Sequence, residues 1–219
     1  MEPLNISWYV KNTDLDPRPT RAMIILPGRG QTGNELADKY DRHFQLGKRG
    51  IAVFAINPPA ETGWYPSPNS PLDQDLAVIG LNRTITTIKH CLSSLQDVTK
   101  IERSNVIFVG FSAGAVVALH FSLTADPPLA GVIVHSGAIL ELSSIKEPKT
   151  NQTPILLNHS LDDRIFTWSQ RYEPMRRRLL SQNYKIDRVE RTSGGHMVTL
   201  DDIEKTRSFL ENFLGYDPE

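Results

Sequence analysis

Gly110-Phe111-Ser112-Ala113-Gly114 stands between two apolar runs of different period. Asn105 to Val109 (NVIFV) is short, uncharged and rich in β-branched and aromatic residues, the pattern of a fully buried strand. Ala115 to Leu123 (AVVALHFSL) sets Ala115, Val116, Leu119 and Leu123 on one helical stripe. A strand that turns into a helix through Gly-x-Ser-x-Gly projects the serine hydroxyl from a tight, strained turn at a helix N-terminus, where the dipole favours an oxyanion. A serine hydroxyl becomes a useful nucleophile only when a base takes its proton. His196 is placed to be that base, in Ser193-Gly194-Gly195-His196 after a predicted strand from Tyr184 to Glu190. Between serine and histidine, a predicted buried strand from Pro154 to Asn158 runs into His159-Ser160-Leu161-Asp162-Asp163. Either aspartate could fix the imidazole tautomer and stabilise the imidazolium. The chemistry these residue types support is acyl transfer through a covalent serine intermediate. A structural Gly-rich turn is the plainer reading of residues 110–114, and the ordered acid and base downstream weigh against it.

Acyl transfer also needs donors for the developing oxyanion. One is expected to be the backbone N–H of Ala113, the residue after the serine. The second is expected from Pro27-Gly28-Arg29-Gly30-Gln31-Thr32-Gly33, whose glycines let backbone approach a ligand closely. Of the other histidines, His43, His90 and His120 fall within predicted helices. His135 and His159 lie at strand ends, where hydrogen bonding behind the site is the expected role. No pair of histidines or thiols has metal-ligand spacing, so no metal and no cofactor is expected.

Strands and helices alternate along the whole chain. Strands are predicted at Ile6 to Val10, Ala22 to Leu26, Ile51 to Ile56 and Gly131 to His135, besides the three above. Thr32-x-x-Glu35 resembles a capping box opening a helix with Leu36, Tyr40 and Phe44 on one face, ending near Gly47 and Gly50. A proline-rich loop spans Asn57 to Ser70. Ser70-Pro71-Leu72-Asp73 then supplies a cap and an N-terminal proline for a long helix with Leu76, Ile79, Ile85, Ile88, Leu92 and Leu95. Thr167-x-x-Gln170 is expected to cap a helix bearing Tyr172, Met175 and Leu179. A last helix is expected from Thr199 through Ile203, Phe209, Leu210 and Phe213. This alternation predicts an α/β fold, a mostly parallel central sheet with helices on both faces. In such sheets ligands bind beyond the carboxyl ends of the strands, where Ser112, Asp163 and His196 all fall.

The sequence has 219 residues, 39% hydrophobic and 22% charged, with a formal net charge of −1. That fits one domain, residues 1–219, and carries no nucleic-acid footprint. Arg176-Arg177-Arg178 reads as a solvated helix face. The single cysteine, Cys91, excludes an internal disulfide and reads as a buried structural thiol. No basic-then-apolar leader is visible and no run approaches the roughly 18 apolar residues of a membrane span. A cytoplasmic protein without stable membrane insertion, monomeric or homodimeric, is expected.

These residues resemble the phospholipase/carboxylesterase branch of the α/β-hydrolases, which includes the acyl-protein thioesterases, along nearly the whole chain. Leu26-Pro27-Gly28-Arg29-Gly30 is similar to that family's His-Gly-x-Gly loop, and Gly63-Trp64-Tyr65-Pro66 to its tryptophan-aromatic segment. Gly110 to Gly114 matches the elbow, His159-x-x-x-Asp163 the acid loop and Gly195-His196 the histidine loop. The chain departs from the pattern at Pro27 for histidine, Ser160 for glycine and Ala113 for glutamine. The resemblance implies a compact α/β-hydrolase domain without a large cap, acting on carboxylic esters or thioesters. It selects Asp163 over Asp162 as the acid and the Arg29 backbone N–H as the second oxyanion donor. It places Trp64 and Tyr65 as groove-lining substrate contacts, with packing under the proline-rich loop as their alternative, and leaves the Arg29 side chain to pair with an anionic substrate group. The leading expectation is a serine carboxylesterase for small to medium acyl chains, taking a small-molecule ester. The alternatives are an acyl-protein thioesterase or lysophospholipase-type hydrolase, with an acylated protein as substrate, and a non-catalytic ligand-binding protein on the same scaffold.

Overall fold

A computed structural model of the protein describes residues 6–67, 71–148 and 152–214. Seven strands form one sheet in the order β1-β3-β2-β4-β5-β6-β7. They are β1 (Ser7–Lys11), β2 (Arg21–Leu26), β3 (Ile51–Asn57), β4 (Val106–Phe111), β5 (Gly131–His135), β6 (Ile155–Ser160) and β7 (Ile186–Arg191). Among the described residues only β1 runs antiparallel, on the edge beside β3, and the other pairings are parallel. The alternation of strands with helices gives the expected α/β architecture, with α3 (Ala113–Thr124) buried nearly all round rather than along one stripe. β2 through β6 are almost wholly buried because helices cover both faces.

The helices are α1 (Asn34–Phe44), α2 (Pro71–Thr99), α3 (Ala113–Thr124), α4 (Glu173–Ser181), α5 (Leu200–Glu204) and α6 (Arg207–Leu214). Side chains of α2, α3 and α4 pack with Ile24, Phe54, Phe108 and Leu157 on one face of the sheet. Those of α1, α5 and α6 pack with Ile25, Val53, Val109 and Leu156 on the other. Alternate strand residues thus feed two cores, as the two-residue period of a strand requires.

Several local expectations change. The cap at Thr32 does not form: α1 starts after Gly33, whose N–H is taken by the Asn57 side chain at 2.7 Å. On α2 the buried stripe is Ala77, Leu81, Thr84, Ile88, Leu92 and Leu95, while Leu76 and Ile79 are about half exposed. The reason lies at Gly80. A Cβ there would stand 2.6 Å from Pro66 and 3.3 Å from Tyr65, so the helix sits against that loop by its glycine and turns its larger neighbours outward. The proposed cap at Ser70 lies outside the described residues. Thr167 makes no capping bond, and the chain passes through a π-turn, Trp168–Tyr172, before α4. The last helix is two pieces, α5 and α6. Thr199 and Asp202 close a reciprocal capping box at the head of α5. Cys91 is only half-buried, with its thiol pKa pushed up to about 11 by burial. No helix among the described residues is long and apolar enough to cross a membrane.

The chain leaves β2 toward β3 on one side and enters β4 on the other, so the strand order reverses between β2 and β4. That reversal opens a crevice at the carboxyl ends of β2 and β4, the usual ligand position in open α/β sheets.

Candidate active site

Leu26 pairs with Gly110 at the ends of β2 and β4, which lays the Pro27–Gly33 loop against the start of α3. The approach is too close for side chains. A Cβ on Gly114 would stand 2.1 Å from the Leu26 carbonyl oxygen, and one on Gly110 2.5 Å from the Cα of Ala115. Both glycines of Gly-x-Ser-x-Gly are therefore required by backbone packing. Ser112 between them has φ 54° and ψ −120°, strained for a residue with a Cβ. The Ser112 N–H donates to the His135 carbonyl at 3.0 Å, and the Ser112 carbonyl accepts from Val116 at 3.1 Å. The backbone is thus fixed on both sides while the hydroxyl projects from the end of β4.

The structure brings together the serine, the histidine and the second aspartate. Ser112 Oγ lies 2.8 Å from His196 Nε2, and His196 Nδ1 lies 2.8 Å from Asp163 Oδ2. The residues come from three strand ends, after β4, β6 and β7. Phe111 and Phe166 flank the imidazole, with ring centroids 5.0 and 5.9 Å away. Asp163 Oδ1 accepts backbone N–H bonds from Ile165 at 2.8 Å and Phe166 at 3.0 Å. Burial works most strongly against ionising this carboxyl. The bonds from His196, Phe166 and Ile165 together outweigh it and hold the pKa below the ordinary value.

Asp162 does different work. It accepts from the backbone N–H of Gly195 at 2.8 Å and of Gly194 at 3.2 Å, and from the Ser160 hydroxyl. It binds the backbone of the histidine loop, as a turn aspartate does. From the other side, Arg191 donates to the carbonyls of Gly195 at 3.1 Å and Met197 at 2.6 Å. The Arg191 guanidinium lies 3.3 Å from the buried Asp202 carboxylate, an ion pair whose oblique Nε approach falls short of hydrogen-bond geometry. The loop carrying His196 is clamped by an acid and a base. Arg191, Phe111 and Phe166 had no recognisable signal in the sequence; Asp202 had one, the Thr199-x-x-Asp202 box.

The Pro27–Gly33 loop makes a tight turn, with Gln31 N–H bonded to the Gly28 carbonyl and Gly30 at φ 70°. A Cβ on Gly28 would stand 3.2 Å from the Ser112 Cβ, so this turn borders the serine directly. Among the described residues neither the Arg29 nor the Ala113 backbone N–H finds an acceptor.

Of the two readings of Trp64 and Tyr65, groove lining and packing, their burial favours packing. They are 1% and 4% exposed and belong to the core beside α2. The Trp64 indole N–H donates to the Pro27 carbonyl at 2.8 Å, fastening the turn from beneath. The Arg29 side chain is likewise engaged: its guanidinium donates to the Tyr65 carbonyl at 2.6 Å and lies over the Tyr65 ring. His135 bonds the Tyr40 hydroxyl at 2.7 Å. His159 stacks face-on against Tyr172, and among the described residues neither of its ring nitrogens meets a partner in hydrogen-bond geometry. The side-chain hydrogen bond of His135 is thus directed at α1, and His159 meets its surroundings by ring stacking. Among the described residues no group of three or more His, Cys, Asp or Glu side chains could hold a metal ion.

A groove of about 580 Å³ opens beside His196, bordered by Phe111, Met197 and the N-terminal part of α1. A larger one, about 730 Å³, lies at the β1 edge between Trp8, Phe54, Leu95 and Val98, and includes none of the three bonded residues. The smaller groove is the one that meets the imidazole.

A family description, Phospholipase/Carboxylesterase, matches residues 57–214. The fold is similar to that of esterase PE8, with a TM-score of 0.80 and 20% identity, covering 97% of this chain and 100% of that one. A phospholipase/carboxylesterase from Dyadobacter fermentans superposes with a TM-score of 0.76 at 20% identity, over 95% and 97% of the two chains. SOBER1 of Arabidopsis thaliana gives 0.72 at 18% identity, over 89% and 99%.

Proposed function

The chain belongs to the phospholipase/carboxylesterase family, and from that premise we propose that it is a serine carboxylesterase acting on esters of small to medium acyl chains. The observation that carries this reading is the continuous line from Ser112 Oγ through His196 to Asp163, both links 2.8 Å long.

His196 Nε2 takes the proton of Ser112 Oγ as that oxygen attacks the ester carbonyl carbon. Negative charge moves to the carbonyl oxygen, which receives the backbone N–H groups of Arg29 and Ala113. Asp163 accepts from Nδ1, keeps Nε2 free to act as base and stabilises the imidazolium. As the intermediate collapses, the C–O bond to the alcohol breaks and His196 returns its proton to the departing oxygen. Water repeats the sequence on the acyl-enzyme: His196 removes its proton, the acid is released and Ser112 regains its hydrogen.

Wild-type protein is expected to turn over p-nitrophenyl butyrate with a burst of p-nitrophenol whenever deacylation is slower than acylation. Ser112→Ala should lower kcat by about 10⁴-fold or more while leaving the thermal unfolding profile in place. Comparable turnover by the variant would refute the serine mechanism.

A further inference from the structure

We propose that the groove beside His196 is the subsite for the alcohol half of the ester. It would take an elongated alcohol, apolar next to the ester oxygen and uncharged but hydrogen-bonding at its far end. This rests on the serine mechanism above and adds to it the direction in which the substrate lies.

The direction follows from the proton. His196 Nε2 must reach the departing ester oxygen within hydrogen-bond distance, about 2.6–3.2 Å, to protonate it. The carbon attached to that oxygen therefore leaves on the imidazole side of Ser112. The groove on that side is walled by Phe111 and His196 and continues along Met197 and Val198. Its other border is made by Pro27, Gln31 and Thr32 of the turn after β2 and by the first part of α1, where Glu35, Leu36 and Lys39 fall on one helical face.

The chemistry of the walls sets the ligand class. Phe111, Leu36, Met197 and Val198 give apolar surface contiguous with the imidazole. Met197 is 52% exposed, and its flexible thioether adapts to alkyl chains of varied shape. Glu35 and Lys39 bring opposite charges to the same border. A terminus of single charge is attracted by one and repelled by the other, whereas a neutral amide or hydroxyl can bond either. The groove is open, and at about 580 Å³ it is large enough that a methyl or ethyl group would leave most of it unused.

The test is a series of butyrate esters that share one acyl-enzyme and differ only in alcohol: ethanol, 1-hexanol, 6-hydroxyhexanamide, 6-hydroxyhexanoate and 6-hydroxyhexyl-trimethylammonium. A methylene in a closed apolar pocket gives about 10- to 200-fold, and an open groove less. For wild type, kcat/KM should rise about tenfold from the ethyl to the hexyl ester. It should rise further for the amide and gain nothing over hexyl for either charged alcohol. Where deacylation limits turnover, kcat should be the same across the series. Leu36→Asp should collapse the hexyl-to-ethyl ratio toward one, and Met197→Ser should lower it as a second, gentler probe. A flat wild-type series, or a ratio that survives both substitutions, would overturn the assignment. Fluorophosphonate labelling of Ser112 run alongside separates the two claims. Labelling with a flat series rejects the alcohol subsite alone, and absence of labelling rejects the serine mechanism and this subsite with it.

Discussion

Asp162 and Asp163 are sequence neighbours whose side chains turn to different partners. Asp163 meets the imidazole Nδ1, and Asp162 meets two backbone N–H groups of the loop that carries it. In the proposed mechanism Asp163→Asn presents an amide that can donate toward Nδ1 and so favours the wrong tautomer, which should lower kcat by about 10³–10⁴-fold. Asp162→Asn keeps one oxygen acceptor for the loop and should cost about tenfold or less. Steady-state kinetics on the two variants checks the ranking, and the reverse order would exchange their roles. The strand-end position of the pair was legible in the sequence, but which carboxylate meets the histidine was not, because one residue of turn geometry decides it. The Arg191 clamp was invisible for a related reason. A guanidinium five residues from the histidine can reach the loop carbonyls only once β7 and the loop have folded.

At the scale of elements, the elbow depends on backbone approach more than on glycine flexibility. Gly114→Ala would drive a methyl into the Leu26 and Pro27 carbonyls, with 2.1 and 2.4 Å separations, and neither backbone can yield. It should prevent stable folding or cost well over 3 kcal/mol, as overpacking of the most rigid kind. A methyl added at Gly30 would meet nothing within 4 Å, so Gly30→Ala carries only the left-handed backbone cost, about 1–2 kcal/mol. Denaturant melts of the two variants should differ by that margin. Trp64→Phe removes the bond to the Pro27 carbonyl while keeping an aromatic ring in the core. About 1 kcal/mol of stability is expected to go with it, and kcat should fall more than KM changes if the turn it supports holds an oxyanion donor.

Element types and order were legible because β2 to β6 are short, mostly apolar runs and most helices keep one stripe; the edge strands β1 and β7 instead alternate with polar or charged residues. The errors have specific causes. The α2 stripe was displaced by Gly80 docking on the Tyr65–Pro66 loop, and the α1 cap by Asn57 reaching the Gly33 N–H. Both are tertiary contacts that override local pattern. In the sequence Trp64 and Tyr65 admit both groove lining and packing, because aromatic side chains beside a site have two uses and only burial distinguishes them.

For the whole molecule, three histidines whose pKa burial lowers, His120, His135 and His159, set its response to acid. Burial lowers the pKa of His135 and of His120 to about 4, against an ordinary 6.5. The unfolded chain therefore binds more protons than the native one between pH 6.5 and 4. Stability is fully present above about pH 6.5 and declines as pH falls toward 4, by at most about 1.4 kcal/mol per pH unit for each group. Carboxylates with lowered pKa act in a separate window. Asp163, Glu173 and Glu204 stabilise the fold above the ordinary carboxylate range, and that contribution is lost as pH falls through their native values, about 2 for both glutamates. Urea melts at pH 7, 6 and 5 should show the decline before those carboxylates titrate, and His135→Gln should make it shallower. An unchanged slope in that variant would remove His135 from the account.

Activation of Ser112 as a nucleophile by His196 is tested most directly by intact-mass labelling with a fluorophosphonate. One adduct per chain, mapped to Ser112, lost in Ser112→Ala and slowed at least 10³-fold in His196→Ala, is the expected result. No adduct on folded wild-type protein, or an adduct that persists in Ser112→Ala, would contradict it.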